Sequence, residues 1–175
     1  QVSRTSAVKV MTRDLEGRVI AERDPLNRVT SFTYDEAGNR ITVTNPDGGI
    51  LRYRYDLNNR PVSATDCQGN TTSNVYDQAG RLVRQISATG IVSSNRYDAA
   101  GRLVSRHQGG LLIASNRYNE AGWVVWSLNE DGIAVSNSYD IAGRLVRATL
   151  PDGTYTEQVY SNGLLVATYD RARRV

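Results

Sequence analysis

Branched aliphatic residues recur along the chain at one fixed position of a 21-residue period. This aliphatic column consists of Ile20, Ile41, Val62, Val83, Val104, Val125, Val146 and Val166. Segments of six or seven residues lie between glycine-rich turns, which is a common strand length. No segment keeps a helical period for even three turns. The pattern predicts an all-β protein, a continuous antiparallel β-meander of roughly sixteen short strands joined by hairpins.

Tyrosine marks the same period at an unbroken step of 21 residues. The column consists of Tyr34, Tyr55, Tyr76, Tyr97, Tyr118, Tyr139 and Tyr160, and its backward extension falls on Arg13. The next column consists of Asp14, Asp35, Asp56, Asp77, Asp98, Asn119, Asp140 and Ser161. Repeats of this kind are units that stack on their neighbours. We therefore expect residues 1–175 to form a single array of about eight units.

The segment after each tyrosine has the form DxxG, which predicts a tight turn. Asp or Asn at the first turn position accepts a hydrogen bond from backbone two residues on, and glycine at the fourth adopts the left-handed conformation. The fourth-position residues are Gly17, Gly38, Asn59, Gly80, Gly101, Gly122 and Gly143. Asparagine tolerates that conformation next best. Arg81, Arg102 and Arg144 follow the glycine and complete the motif YDxxGR. We expect all these residues to be structural.

A second turn is predicted half a period away from the first. Its segments are DPLN at 24–27, NPDG at 45–48, DCQG at 66–69, SATG at 87–90, NEDG at 129–132 and LPDG at 150–153. Proline at the second position and glycine at the fourth favour the same turn chemistry. The segment QGGL at 108–111 places its glycine one residue early, so we expect a different turn there.

The two faces of the predicted strands are both mixed in polarity. Alternation places each tyrosine on the same face as the residues two and four positions earlier. Because neither face is purely apolar, we expect a curved strip one hairpin wide, about 20 Å across, instead of a sandwich. Equivalent asparagines lie two strands apart, so we expect them to bond to the intervening strand and not to form a ladder. They are Asn74, Asn95, Asn116 and Asn137.

Composition and charge point away from several classes of function. The net charge is +3 and the mean hydropathy is −0.45, and among 21 basic residues Lys9 is the only lysine. The arginines are spread along the chain, whereas nucleic-acid binding concentrates charge on one face or segment. No apolar run approaches the ~20 residues of a membrane span. The first ten residues have no pattern of a signal peptide.

The sequence provides no constellation of catalytic or metal-binding residues. His107 is the only histidine and Cys67 the only cysteine, so disulfides and cysteine or histidine metal sites lack their partners. The repeated aspartates each hold a turn about 10 Å from the next equivalent one. We expect no enzymatic activity, no metal and no cofactor. Trp123 and Trp126 interrupt one unit, and either fill a local core or mark a contact with a partner.

The motifs YDEAGN, YDQAGR, YDAAGR and YDIAGR resemble the YD repeats of Rhs proteins, toxin-complex C subunits and teneurins. The resemblance extends from about Thr5 to Arg171. It implies a β-strip that winds into part of a hollow shell, which in bacterial members encloses a C-terminal toxin domain. DPLN at 24–27 is superficially similar to the self-cleavage element of such shells, but its register identifies it as a second turn.

The resemblance implies encapsulation of a toxin or effector for delivery to competitor or host cells. The expected partners are the rest of a parent shell and the enclosed toxin domain, and the expected location is secreted or delivered by a secretion system. The chain begins and ends inside repeats, so we expect a fragment of a larger protein whose open edges self-associate. The alternative is a cell-surface or carbohydrate-binding module that uses exposed Tyr, Asn and Arg. Nucleic-acid binding has the weakest support.

Overall fold

The computed structural model describes residues 9–171. They fall into two compact units, one up to Ile91 and the other from Val92. Each unit is built of eight antiparallel strands that pair in the order of the sequence. The predicted all-β meander is therefore confirmed, with sixteen strands in the described part of the chain. That residues 1–175 act as a single array stays a prediction.

The strands of both units are four to eight residues long. The first unit contains β1 Val10–Arg13, β2 Val19–Arg23, β3 Val29–Tyr34, β4 Arg40–Thr44, β5 Ile50–Tyr55, β6 Pro61–Thr65, β7 Thr71–Tyr76 and β8 Leu82–Ile86. The second unit contains β9 Val92–Tyr97, β10 Leu103–Gln108, β11 Leu111–Tyr118, β12 Val124–Leu128, β13 Ala134–Tyr139, β14 Leu145–Thr149, β15 Tyr155–Ser161 and β16 Leu164–Arg171.

The sequence pattern predicts strands at 81–86, 91–97, 133–139 and 144–149, and in the structure each of them begins one residue later. Strand β8 begins at Leu82 because the carbonyl of Arg81 accepts the N–H of Asp77 and closes the preceding turn. In the same way the carbonyl of Ile91 accepts the N–H of Ser87, and β9 begins at Val92. The turn thus takes the first residue of each predicted segment.

A register shift recurs where each tyrosine-bearing strand pairs with the following strand. Thr33 lies opposite Thr42 whereas Tyr34 lies opposite Arg40, so Ile41 is the extra residue of a β-bulge. The same shift follows Tyr55, Tyr76, Tyr118 and Tyr139. The bulge disrupts the ladder of backbone hydrogen bonds locally. It also keeps the aliphatic column on the same face as the tyrosines.

The pairing of the strands shows that the sheet has two chemically different faces. Strict alternation along the sequence does not distinguish them. The first, called the tyrosine face, carries the tyrosine, asparagine and aliphatic columns. The second, called the arginine face, carries mainly hydroxyl and arginine side chains. In the first unit its members on β3 to β8 are Val29, Ser31, Thr33, Thr42, Thr44, Ile50, Arg52, Arg54, Ser63, Thr65, Thr71, Ser73, Val75, Arg84 and Ile86.

Neither unit has a dry interior. Among residues 9–171 no hydrophobic side chain is buried, and the one buried polar residue is Ser105. Most tyrosine-face residues are half-buried by contacts with neighbouring strands. Stability must therefore come from interactions between consecutive hairpins, as in other repeat proteins. No helix long and apolar enough to cross a membrane occurs within residues 9–171.

Candidate functional site

The DxxG segments close as four-residue turns followed by a bulge. In the turn at 56–59 the N–H of Asn59 donates to the carbonyl of Asp56, and the N–H of Asp56 donates to the carbonyl of Arg60, both over 3.0 Å. Asp56 Oδ1 accepts the backbone N–H groups of Asn58 and Arg60 at 2.9 and 3.0 Å. The fourth residue has a positive φ, 58° at Asn59. The aspartate side chain thus fixes the turn from inside.

The second turns have the same backbone bonds but are mostly more exposed. Gly69 donates to the carbonyl of Asp66 over 3.1 Å, and Asp66 Oδ1 accepts the N–H of Asn70 over 2.9 Å. The turn at 108–111 differs, as the sequence predicted. Gly109 and Gly110 both have positive φ, 58° and 86°, and form a two-residue loop between paired β10 and β11.

An arginine directly after the turn forms an ion pair with the turn aspartate. Arg60 Nε and Nη2 lie 2.7 and 2.6 Å from Asp56 Oδ2. Equivalent pairs join Arg18 to Asp14, Arg81 to Asp77, Arg102 to Asp98 and Arg144 to Asp140. The Arg60 guanidinium, and then its backbone N–H, hold the pKa of the Asp56 carboxyl below its ordinary value. The aspartate therefore stays ionised and binds two parts of the same turn.

The same arginines cover tyrosine rings in the following repeat. The guanidinium carbon of Arg102 lies 4.5 Å from the centre of the Tyr118 ring. Arg18 lies over Tyr34, Arg60 over Tyr76 and Arg144 over Tyr160, at 5.1, 4.8 and 4.7 Å. Such cation–π contacts are each worth about 0.5–1 kcal/mol when exposed. Each arginine thus joins its own turn to the next unit.

Tyrosine hydroxyls supply hydrogen bonds where the bulges disrupt the ladder. Tyr118 Oη donates to the Leu103 carbonyl over 2.8 Å, and Asn116 Nδ2 donates to the same carbonyl over 3.1 Å. Tyr34, Tyr55, Tyr76 and Tyr139 donate to the equivalent carbonyls of Val19, Arg40, Pro61 and Val124. Asn74 and Asn137 repeat the asparagine bond. These three asparagine bonds confirm the prediction that the column bonds to the adjacent strand.

Tyr160 and Tyr97 complete the tyrosine column. Tyr160 Oη donates to Gln158 Oε1 over 2.7 Å, a side-chain acceptor in its own strand. Tyr97 closes β9 and lies opposite Leu103. The structure thus places six of the seven predicted tyrosines at the last residue of a strand, and Tyr160 one residue before the end of β15. All seven stand directly before the aspartate or its replacement.

Glycine at the fourth turn position has no Cβ, and the guanidinium of the preceding 21-residue repeat lies beside it. A Cβ on Gly122 would lie 3.3 Å from Arg102 Nη1, and a Cβ on Gly80 would lie 3.4 Å from Arg60 Nη1. Arg60 Nη1 in addition donates to the carbonyl of Asp77 over 3.4 Å. The turn glycine thus suits these repeats in two ways, because it adopts the positive φ and because it leaves the guanidinium beside it uncrowded.

In one pair of consecutive repeats, both the arginine and the glycine of this contact are replaced. Asn39 occupies the arginine position and Asn59 the glycine position of the next turn. Asn39 Nδ2 donates to Asp35 Oδ2 over 3.0 Å and to Asn59 Oδ1 over 2.8 Å. The shorter amide leaves room for the Asn59 side chain and binds it. A neutral bridge thus takes the place of the ion pair.

Trp123 takes the arginine position in another unit, where Asn119 replaces the aspartate. Its ring lies 5.3 Å from the Tyr139 ring, tilted by 43°. A Cβ on Gly143 would lie 2.6 Å from Trp123 Cζ2. The indole therefore occupies the space of the guanidinium and packs on the same tyrosine. Trp126 lies on the arginine face, where the Arg117 guanidinium covers its ring at 4.9 Å.

The described residues hold no cluster of His, Cys, Asp and Glu that could bind a metal ion. Cys67 is exposed on a second turn, and His107 lies in β10 opposite Ser94. A shallow groove of about 510 Å³ in the second unit is lined by Val135, Ala148, Leu150, Thr154 and Tyr155, among others. The lining also includes Thr156 and Asp170, and Thr156 Oγ1 donates to Asp170 Oδ1 over 2.9 Å.

Sequence reasoning missed the bulge carbonyls and the arginine–tyrosine contacts. A signal for the bulge is present, because two consecutive apolar residues at Leu103–Val104 and Val124–Val125 break strict alternation. The arginine–tyrosine contacts join residues sixteen positions apart, such as Arg102 and Tyr118, and depend on the register after the bulge. They could not be read from the period alone.

Comparison with known proteins identifies both the repeat and the fold. The model of the RHS repeat family matches residues 13–50, 38–71, 55–92 and 76–110. These matches run without a gap from 13 to 110, which is more than half of the chain. None of the curated protein sequences matches the chain.

Two solved structures resemble the chain in fold, each with a TM-score of 0.56. One is the crystal structure of TcdB2-TccC3-Cdc42, at 16% sequence identity, and the other is TcdB2-TccC3 without its hypervariable C-terminal region, at 17%. Both alignments cover 95% of this chain but 12% of the solved chain. This chain thus spans about an eighth of their length.

Proposed function

Because this chain belongs to the RHS repeat family, we propose that it forms part of the wall of a hollow shell that encloses a toxin or effector polypeptide. The wall would act by steric exclusion and not by catalysis. It would keep the enclosed polypeptide away from solvent, proteases and the producing cell until delivery. The proposal includes no metal and no cofactor.

The observation that carries the proposal is the link between consecutive turns. An arginine such as Arg60 is bound to Asp56 in its own turn, covers Tyr76 in the next repeat and donates to the Asp77 carbonyl of the next turn. Consecutive repeats therefore supply part of each other's environment, and among residues 9–171 no buried hydrophobic core limits their number. A wall needs this property, because its area grows only by the addition of repeats.

The enclosed partner and the route of delivery are proposed from the similarity of this fold to solved structures. The solved structures of similar fold are TcdB2-TccC3 assemblies, one of them without a hypervariable C-terminal region. An analogous arrangement would place the remaining shell and a C-terminal effector in the same protein as this chain. The shell would then be secreted or delivered by a secretion system.

Limited proteolysis of a longer natural chain that contains these repeats tests the proposal. The effector segment should survive protease while the repeats are intact, and it should be digested after the shell is opened. The matched control is the same effector segment expressed alone, which should be digested at once. An effector segment digested equally fast with and without the repeats would contradict encapsulation.

A glycan-binding surface is the second candidate, favoured by the arginine face of the second unit. There Arg117 covers Trp126, and Arg147 covers Tyr155 at 4.3 Å. Aromatic rings with planar donors beside them suit sugar rings and their hydroxyls. A glycan array with the variant Arg96→Gln/Arg117→Gln tests this: binding that the variant loses supports recognition, and the absence of any bound glycan removes the candidate.

A further inference from the structure

The arginine face of the first unit carries positive charges and no carboxylate. Its charged members are Arg23 on β2, Arg52 and Arg54 on β5, and Arg84 on β8. Arg52 lies between Thr42 and Thr65 of the adjacent strands, and Arg54 lies opposite Ser63. Between β2 and β8 this face contains no Asp or Glu. This face therefore carries positive charge only and is rich in hydrogen-bond donors.

These four arginines differ from the turn arginines in having no ion-pair or ring partner among residues 9–171. All four are exposed, and none forms an ion pair or covers a ring within the described residues. The turn arginines of the same unit, such as Arg60, are tied to aspartates and tyrosines. The turn arginines thus bind groups within the chain, whereas these four arginines are exposed to solvent. We call these four the open arginines.

The open arginines are regularly spaced across the sheet. Arg23, the Arg52–Arg54 pair and Arg84 lie on β2, β5 and β8, which are three strands apart. With about 4.8 Å between strands, this spacing is roughly 14 Å. An extended polypeptide covers that distance in about four residues. Guanidinium groups bind carboxylates in a planar, bidentate manner.

From this geometry we propose that the arginine face of the first unit binds an extended acidic polypeptide with a carboxylate at about every fourth residue. The hydroxyls of Ser31, Ser63 and Ser73, on strands between the arginines, offer hydrogen bonds to its backbone. The threonine hydroxyls of this face are partly used already, because Thr33 bonds to Thr42 and Thr65 bonds to Thr71. The inference goes beyond the proposed shell and does not depend on it.

Three other occupants fit this face less well, namely a second copy of the chain, a neutral glycan and a single-stranded nucleic acid. A second copy of the chain carries a net charge of +3, and its turn aspartates are already bound, as Asp56 is by Arg60. A neutral glycan or a nucleic acid would use aromatic rings for stacking. The aromatic residues of β3 to β7 are Phe32, Tyr34, Tyr53, Tyr55 and Tyr76, and none is among the residues of the arginine face.

Fluorescence anisotropy with labelled peptides tests the proposal on the 175-residue chain. The probe is a Ser/Gly peptide of about 16 residues with glutamate at every fourth position, a spacing set by the extended chain. A peptide with lysine at those positions and soluble heparin serve as comparisons. We expect the glutamate peptide to bind, the lysine peptide not to bind, and affinity to fall as salt shortens the screening length.

The variant Arg52→Gln/Arg54→Gln/Arg84→Gln should lose roughly tenfold in affinity for the glutamate peptide, as expected for three exposed ion pairs. The matched control Lys9→Gln/Arg13→Gln/Arg28→Gln removes the same charge from positions outside this face and should bind like the original chain. Thermal unfolding checks that both variants fold.

Three results would overturn the assignment. They are equal loss in the two variants, equal binding of the glutamate and lysine peptides, and tight heparin binding without peptide binding. If the triple variant does not fold, the comparison of the two peptides on the original chain still decides the proposal.

Discussion

The side chains of Asn39 and Asn59 meet across two consecutive turns, with Asn39 Nδ2 donating to Asn59 Oδ1 over 2.8 Å. Other units place an arginine and a glycine at these positions, as Arg60 and Gly80 do. The two asparagines are therefore one coupled exception. Either of them combined with the usual partner would change the contact between the units.

A double-mutant cycle measures this coupling. Asn39→Arg alone brings a guanidinium against the Asn59 side chain and should lower the free energy of unfolding, whereas Asn59→Gly in that background should restore it. We expect a coupling energy of roughly 0.5–1 kcal/mol from urea unfolding of the four variants. Additive effects of the two substitutions would show that the turns do not communicate through these residues.

Removing one tyrosine hydroxyl should cost about 1 kcal/mol of unfolding free energy. In Tyr118→Phe the Leu103 carbonyl loses its 2.8 Å bond and keeps only the 3.1 Å bond from Asn116. The control is Tyr160→Phe, because Tyr160 donates to the Gln158 side chain, which water can replace. Chemical denaturation compares the two. An equal loss in both variants would argue against the bulge carbonyl as the reason.

Gly143→Ala should destabilise the second unit more than Gly17→Ala destabilises the first. Both glycines have φ near +80°, so both variants incur backbone strain of about 1 kcal/mol. Only at residue 143 does the new Cβ meet the Trp123 ring, at 2.6 Å. Trp123→Ala in the Gly143→Ala background should recover the difference in thermal unfolding. Failure of this rescue would show that the ring does not set the requirement for glycine.

Acid should destabilise the fold through its turn aspartates. The pKa values of Asp14, Asp24, Asp35, Asp56, Asp66, Asp77, Asp98 and Asp140 are lowered. A carboxyl with a lowered pKa contributes stability that is complete above the unfolded value of about 3.9 and is lost as pH falls through the folded value.

The melting temperature should therefore stay level near neutral pH and fall below about pH 4. Asp56→Asn should melt lower at neutral pH and depend less on pH, because it removes one titrating group that Arg60 binds. A melting temperature that rises on acidification would contradict this account.

The chain should self-associate through β1. Within the described residues this strand pairs with β2 alone, and Val10 and Met11 are 54% and 47% exposed. Such an edge can pair with another strand. Sedimentation velocity should show dimers or larger species that increase with concentration, and Met11→Lys should reduce them. A monomer at every concentration would contradict the prediction.

The sequence predicted the elements of this fold because each is encoded locally. Each DxxG turn is specified by contacts within its own few residues, such as those that the side chains of Asp56 and Asp98 accept. The β-branched residues between the turns specify strands. The two faces and the inter-unit contacts were not predicted. They depend on the bulge at residues such as Ile41, which shifts every later side chain, and on pairs like Arg102 and Tyr118 in different hairpins.

The coupling between one turn and the next constrains how such repeats can be rearranged by recombination. A repeat that ends in tryptophan, like that of Trp123, must be followed by a turn with glycine, because a Cβ on Gly143 would lie 2.6 Å from the ring. A unit that ends in asparagine, like that of Asn39, accepts Asn59 in the next turn. An exchange that places the repeat of Trp123 directly before the turn of Asn59 would produce a steric conflict, so the order of the repeats carries information that their consensus does not.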